Sequence, residues 1–154
     1  MHVIESKNFK ALWREDNMKR ESARAIIIEN GKLLTIFRRK INELGERTEY
    51  YVIPGGGIEG NETPEITVKR ELNEELGITI EIIKDLGIVE KEKTIEHYFY
   101  AKRINGTPKI GGEELDRMNE KNYYEVRYVE LEKLQNLPFQ GMELVNKALE
   151  NDFE

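Results

Sequence analysis

The feature that most constrains this chain is a helix whose two ends are both written in the sequence. Thr63 stands before Pro64, and Gly77 follows Leu76. Thr63 is suited to cap the first backbone N–H groups, and proline is suited to the first helical position. Glycine suits the left-handed residue that ends a helix. The spacing predicts a helix over 64–76. Tyr50 to Ile53 reads as a short strand stopped by Pro54 and three glycines, so the helix is entered from a glycine-rich loop. Glu71, Glu74 and Glu75 fall at i, i+3 and i+4 and share one helical face. Stacked like charges destabilise a helix. Arg70 supplies one positive charge, and a hard divalent cation bound by oxygen ligands would supply the rest. Ile66, Val68, Leu72 and Leu76 offer apolar surface to the opposite side.

An acidic run on a helix usually only faces water. Three features argue for a ligand here. The glycine loop leads into a capped helix and lets backbone approach a ligand closely, the charges cluster on one face, and the complete spacing, with Glu59 and Glu62 just upstream, is far more specific than any single piece of it.

The rest of the chain reads as strands around this helix. Ala23–Glu29 and Lys32–Arg38 flank Asn30-Gly31, the strongest two-residue hairpin signal. Residues 39–48 are polar and read as a loop. Residues 78–83 and 87–91 read as strand pieces broken near Asp85. Residues 95–103 and 124–129 read as further strands. Gly106–Gly112 reads as a loop, and 113–121 as a charged, mobile stretch. Leu131–Leu134 begins a short helix, and 140–149 reads as an amphipathic one with Met142, Val145 and Leu149 on one side. Layer logic then gives an α/β sandwich, a mixed β-sheet between helices. Residues 1–20 are expected to pack on the domain through Phe9, Leu12 and Trp13, and 21–154 to form a single domain.

Composition narrows the function. A formal net charge of −6 argues against a broad nucleic-acid surface. It leaves room for a small phosphorylated substrate, since a bound cation inverts the sign of an acidic site. The chain has no cysteine, so disulfides and thiolate metal sites are excluded. No apolar run approaches a membrane span, and the N-terminus lacks signal-peptide character. The expected compartment is the cytoplasm.

Taken together, residues 56–78 resemble the Nudix signature G-x5-E-x7-R-E-U-x-E-E-x-G-U, where U is a bulky aliphatic residue. Gly56, Glu62, Arg70, Glu71, Leu72, Glu74, Glu75, Gly77 and Ile78 fill its constrained positions. Composition puts a chance match at about one in 10⁵ or rarer. The resemblance implies a Nudix-type α/β/α sandwich over about residues 20–150. It also implies hydrolysis of a nucleoside diphosphate derivative: a nucleoside triphosphate, an oxidised nucleotide, ADP-ribose or a nucleotide sugar. Water would attack phosphorus with Mg²⁺, or Mn²⁺ in its place, as cofactor. Carried over position by position, Glu71, Glu74 and Glu75 are implied metal ligands, joined by the Gly56 carbonyl. Arg70 is implied to orient these carboxylates, and Glu62 to ligate metal or to hold Arg70. The general base is implied to be a glutamate of this stretch or a residue on a later loop. Glu113, Glu114, Asp116 and Glu120 stand there, with Glu114 the first candidate.

Substrate contacts are expected outside the stretch. Arg24, Arg38 and Arg39 are candidates to hold phosphates. Tyr50, Tyr98, Tyr100 and Tyr124 are candidates to stack a base, although strand aromatics are more often core. His2 and His97 lack metal-ligand spacing and receive no role. The expected partner is a small nucleotide, with no large nucleic acid and no membrane, and a homodimer is in keeping with the family. The alternative function is a catalytically silent nucleotide-binding or regulatory module.

Overall fold

The computed structural model describes residues 19–136, 145–148 and 150. The expectations for Phe9, Leu12, Trp13, Met142 and Leu149 lie outside the described residues.

Strand β1 (Arg20–Ile26) runs parallel to β7 (Thr94–Asn105), which pairs antiparallel with β6 (Thr79–Glu90). On its other edge β1 pairs antiparallel with the short β5 (Gly55–Gly57). This gives a mixed sheet in the order β5-β1-β7-β6. A second sheet is antiparallel. Its centre is β3 (Lys32–Ile41), with β8 (Asn122–Glu130) along one edge and β2 (Ile28–Glu29) and β4 (Arg47–Val52) along the other. The expected mixed sheet is present, and the second sheet adds to it. The run 23–29 serves both sheets, because the chain changes sheet at Ile27. Asn30 and Gly31 make the expected tight turn, both at positive φ (52° and 74°).

Helix α1 (Pro64–Leu76) forms as its end signals require. The Thr63 side chain accepts from the Ile66 N–H, and Gly77 ends the helix in the left-handed conformation. Val68, Leu72 and Leu76 are buried against Ala23 and Ala25 of β1, Ile27 just after it, and Phe99 and Ala101 of β7. The other face of the mixed sheet buries Ile26, Tyr98 and Tyr100 with Val129, Leu134, Val145 and Ala148. Residues 145–148 are helical, and Leu131–Asn136 form a 3₁₀ turn. No helix among the described residues is long and apolar enough to cross a membrane.

Several local expectations are corrected. Only half of residues 39–48 is a loop. Arg39, Lys40 and Ile41 pair with Glu49, Thr48 and Arg47, leaving 42–46 as the turn. Pairing across the ribbon satisfies the backbone without apolar side chains, so polarity alone misleads there. The strand is not broken near Asp85: β6 is continuous, with register shifts at 82/84 and 85/87 absorbed by bulges. Gly112–Arg117 form a short helix, α2, where an irregular charged stretch is expected. Ile66 is 55% exposed and does not join the core.

Candidate active site

Both sheets, α1 and α2 line a cavity of about 740 Å³, with acidic side chains on the helices and basic ones on the strands. One wall carries Glu71, Glu74 and Glu75 from α1 with Glu113 and Glu114 from α2. The strands carry Arg20, Arg24, Arg38 and Lys40, and Arg117 of α2 also lines the cavity, donating to Glu113 at 3.0 Å. Period-two alternation explains the basic set. Arg20, Ser22 and Arg24 point the same way from β1, and Arg38 and Lys40 do so from β3.

Glu71, Glu74 and Glu75 each offer an oxygen within 4.8 Å of the other two. Glu71 is buried, wedged between Gly56 and Arg70. A Cβ built on Gly56 would lie 2.5 and 2.7 Å from the two Glu71 oxygens, so any side chain there would push that carboxylate aside. Burial pushes the Glu71 carboxyl up, and Arg70 opposes that rise. Burial also lifts the Glu75 carboxyl, to about 7, with the adjacent Glu114 carboxylate adding to the effect. Glu75 Oε2 is buried without a hydrogen-bond partner in the structure. An orphaned carboxylate oxygen beside two further carboxylates fits a hard divalent cation, which takes oxygen ligands and relieves their mutual repulsion. The residues present therefore suit the cation expected for this site.

Arg70 organises the entrance to this wall. Its Nε and Nη2 donate to the two oxygens of Glu62 at 2.6 and 2.9 Å. Its Nη1 donates to Glu71 at 3.0 Å and Glu74 at 3.1 Å, and Nη2 also donates to the Gly57 carbonyl. Glu62 receives further bonds from the Thr67 hydroxyl and the Glu59 N–H. The Arg70 fork holds the Glu62 carboxyl at about 2, well below its usual value. Of the two roles open to Glu62, the geometry favours holding Arg70. It is not among the three clustered carboxylates.

Helix α2 reaches the site because the chain before it closes the end of α1. The Lys109 and Gly111 N–H groups donate to the carbonyls of Leu76 and Glu75, which the helix itself leaves open. Gly112, at φ 59°, passes so close to the Glu74 carbonyl that a Cβ would lie 2.9 Å from it. This contact sets Glu114 against Glu75. Asp116 and Glu120, the other expected loop acids, do not line the cavity.

The basic candidates separate. Arg24 lines the cavity, donates to the Ile53 carbonyl at 2.8 Å and pairs with Glu96 at 3.4 Å. Arg38 lines it too, lying over the Tyr50 and Tyr124 rings and donating to the Tyr124 hydroxyl. Arg39 points to the other face, over Tyr123, and does not line the cavity. The expectation that it holds substrate is corrected by strand alternation. Tyr100 is buried in the core. Arg20, Lys40, Arg117 and Glu96 were not singled out from sequence. The i, i+2 spacing of Arg38 and Lys40 is the signal that would have found Lys40.

A family model described as NUDIX domain matches residues 18–147. No curated protein sequence matches. Among solved structures, a MutT NUDIX hydrolase from Burkholderia pseudomallei is 25% identical, with a TM-score of 0.61, covering 86% of this chain and 96% of its own. An ADP-ribose pyrophosphatase from Streptococcus suis is 17% identical with a TM-score of 0.61, covering 88% of this chain and 92% of its own. A UDP-X diphosphatase is 15% identical with a TM-score of 0.59, covering 96% of this chain and 72% of its own. The last two likenesses concern the fold alone.

Proposed function

Since the chain belongs to the NUDIX domain family and is a hydrolase of pyrophosphate bonds, we propose that it cleaves the diphosphate of a nucleoside diphosphate derivative with Mg²⁺ as cofactor. The observation that carries this is one cavity lined both by the clustered carboxylates of α1 and by cationic side chains of the strands. A diphosphate is anionic and its transition state spreads negative charge over phosphate oxygens, so positioned cations stabilise it most.

Glu71, Glu74 and Glu75, with the Gly56 carbonyl, are the residues assigned to hold Mg²⁺, or Mn²⁺ in its place. When bound, the cation offsets phosphate charge and lowers the pKa of bound water. Arg70 and Glu62 fix the carboxylates in place. Arg24 and Arg38 are assigned to the substrate phosphates, and Arg20 and Lys40 add positive charge from the same strands. The attacking water forms a new P–O bond, the bridging P–O bond breaks, and the departing phosphate carries the electron pair away. Glu114, beside Glu75, is assigned to take the proton from the water. The region from residue 21 onward acts as one domain in this scheme.

The test is release of phosphate, pyrophosphate or nucleoside monophosphate from a panel of nucleoside triphosphates, ADP-ribose and nucleotide sugars with Mg²⁺. Release from at least one member is expected. No release from any of them, with Mg²⁺ or Mn²⁺, overturns the proposal.

A further inference from the structure

A second cavity of about 550 Å³ adjoins the first, and Arg24, Val52, Ile53 and Glu96 line both. Its walls include Tyr50, Tyr51 and Tyr98, suited to a flat ring. At the junction sits Glu96, only 7% exposed. A cation lies on each side of its carboxylate. Arg24 Nε is 3.4 Å from Oε1, and Lys91 Nζ donates to Oε2 at 3.1 Å. The Tyr98 hydroxyl also donates to Oε1, at 2.9 Å.

A carboxylate accepts about four hydrogen bonds. Oε1 accepts from Tyr98 and Oε2 from Lys91, while Arg24 stands beside Oε1 as an ion pair, so each oxygen keeps an accepting position. The cluster therefore offers a row of donor, acceptor and donor: Arg24, Glu96 and Lys91. The complementary ligand edge is acceptor, donor, acceptor, a single N–H between two carbonyls. That is an imide. Resting on the hydrolase reading above, we propose that Arg24, Glu96 and Lys91 select nucleotides whose base presents an imide edge.

Uracil and thymine carry such an edge, and 8-oxoguanine presents the same acceptor, donor, acceptor order through O6, N7–H and O8. Cytosine and adenine set a ring-nitrogen lone pair against the Glu96 carboxylate. Guanine sets an amino group against a cation. Mismatched polar groups in a buried site are rejected more strongly than missing methylenes.

The test is metal-free binding of nucleoside monophosphates by calorimetry, with dUMP, 8-oxo-dGMP, dCMP and dAMP. The comparison of dUMP with dCMP isolates the imide edge. At least one imide base is expected to bind about tenfold or more tighter than dCMP. Tight dUMP alone marks a pyrimidine site, and tight 8-oxo-dGMP alone marks an oxidised purine site; both support the proposal. Glu96→Gln should bring the ratio to within about threefold. Lys91→Met should act in the same direction, and because that side chain is 37% exposed, it perturbs folding least. Melting temperatures verify that both variants are folded. The array is overturned if dCMP binds as well as both imide bases, if neither imide base binds, or if the preference survives both variants. Turnover of the matching triphosphates separates the two proposals. A binding preference without any hydrolysis defeats the hydrolase reading, and hydrolysis without preference defeats only the array.

Discussion

Gly56→Ala adds a single methyl group and tests how tightly the carboxylate wall is built. Gly56 does not adopt a positive φ, so the backbone accepts alanine and the effect is one of contact. The new Cβ would stand 2.5 and 2.7 Å from the Glu71 oxygens. Ordinary contacts lie near ~3.5 Å, so the carboxylate must move by about 1 Å. Misplacing a reacting group by that much costs about 10²-fold in rate, or about 2.7 kcal/mol of barrier. The displaced atoms are the end of a side chain, so the stability cost sits at the low end of overpacking, about 1 kcal/mol. In a chain of this size that is roughly 2–4 °C in Tm. Gly57→Ala is the control. Its Cβ would meet only the end of the Arg20 side chain, at 3.3 Å, and activity should hold within about threefold. The assay is steady-state kcat on the best substrate beside a thermal melt. If Gly56→Ala retains activity within about threefold, or loses no more than Gly57→Ala, the position of Glu71 is not critical and the reasoning fails.

Two further outcomes follow from the same contacts. Thr63→Ala removes the side-chain cap of α1 and should cost about 1 kcal/mol, seen as a Tm lower by roughly 2–4 °C; an unchanged Tm would mean that the cap contributes nothing. The second concerns acid. Burial works to raise the Glu96 carboxyl, but Arg24, Tyr98 and Lys91 outweigh it and hold it below its usual 4.5. A depressed carboxyl contributes stability that is fully present above the unfolded value and lost as pH falls through the folded one. The Tm advantage of the parent protein over Glu96→Gln should therefore be constant from pH 7 to about 5 and shrink below ~4.5. An advantage that grows toward acid would contradict the assignment.

What was legible in the sequence was local. Thr63, Pro64 and Gly77 fix α1 through groups within a few residues of each helix end. Asn30 and Gly31 fix a turn through their own backbone preferences, and Glu71, Glu74 and Glu75 share a face through helical geometry alone. What was not legible depends on distant pairing. The polar residues 39–41 and 47–49 become strands only because they lie opposite one another. Helix α2 has no buried residue to mark it and is placed by the open carbonyls of α1. Arg38 and Arg39 look alike in sequence, but the strand sends one into the cavity and the other to the far face. Glu96 and Lys91 become neighbours of Arg24 only through the parallel pairing of β1 with β7.

The central claim is that Glu71, Glu74 and Glu75 together hold the cation on which hydrolysis depends. Its most direct test is Mn²⁺ titration followed by electron paramagnetic resonance, on the parent chain and on Glu74→Gln and Glu75→Gln, with turnover measured on the same samples. The account predicts that each substitution weakens Mn²⁺ binding at least about tenfold, as for loss of a charged ligand, and lowers turnover at least about 10²-fold while the melting curve stays cooperative. Parent-like Mn²⁺ affinity and parent-like turnover in either variant would contradict it.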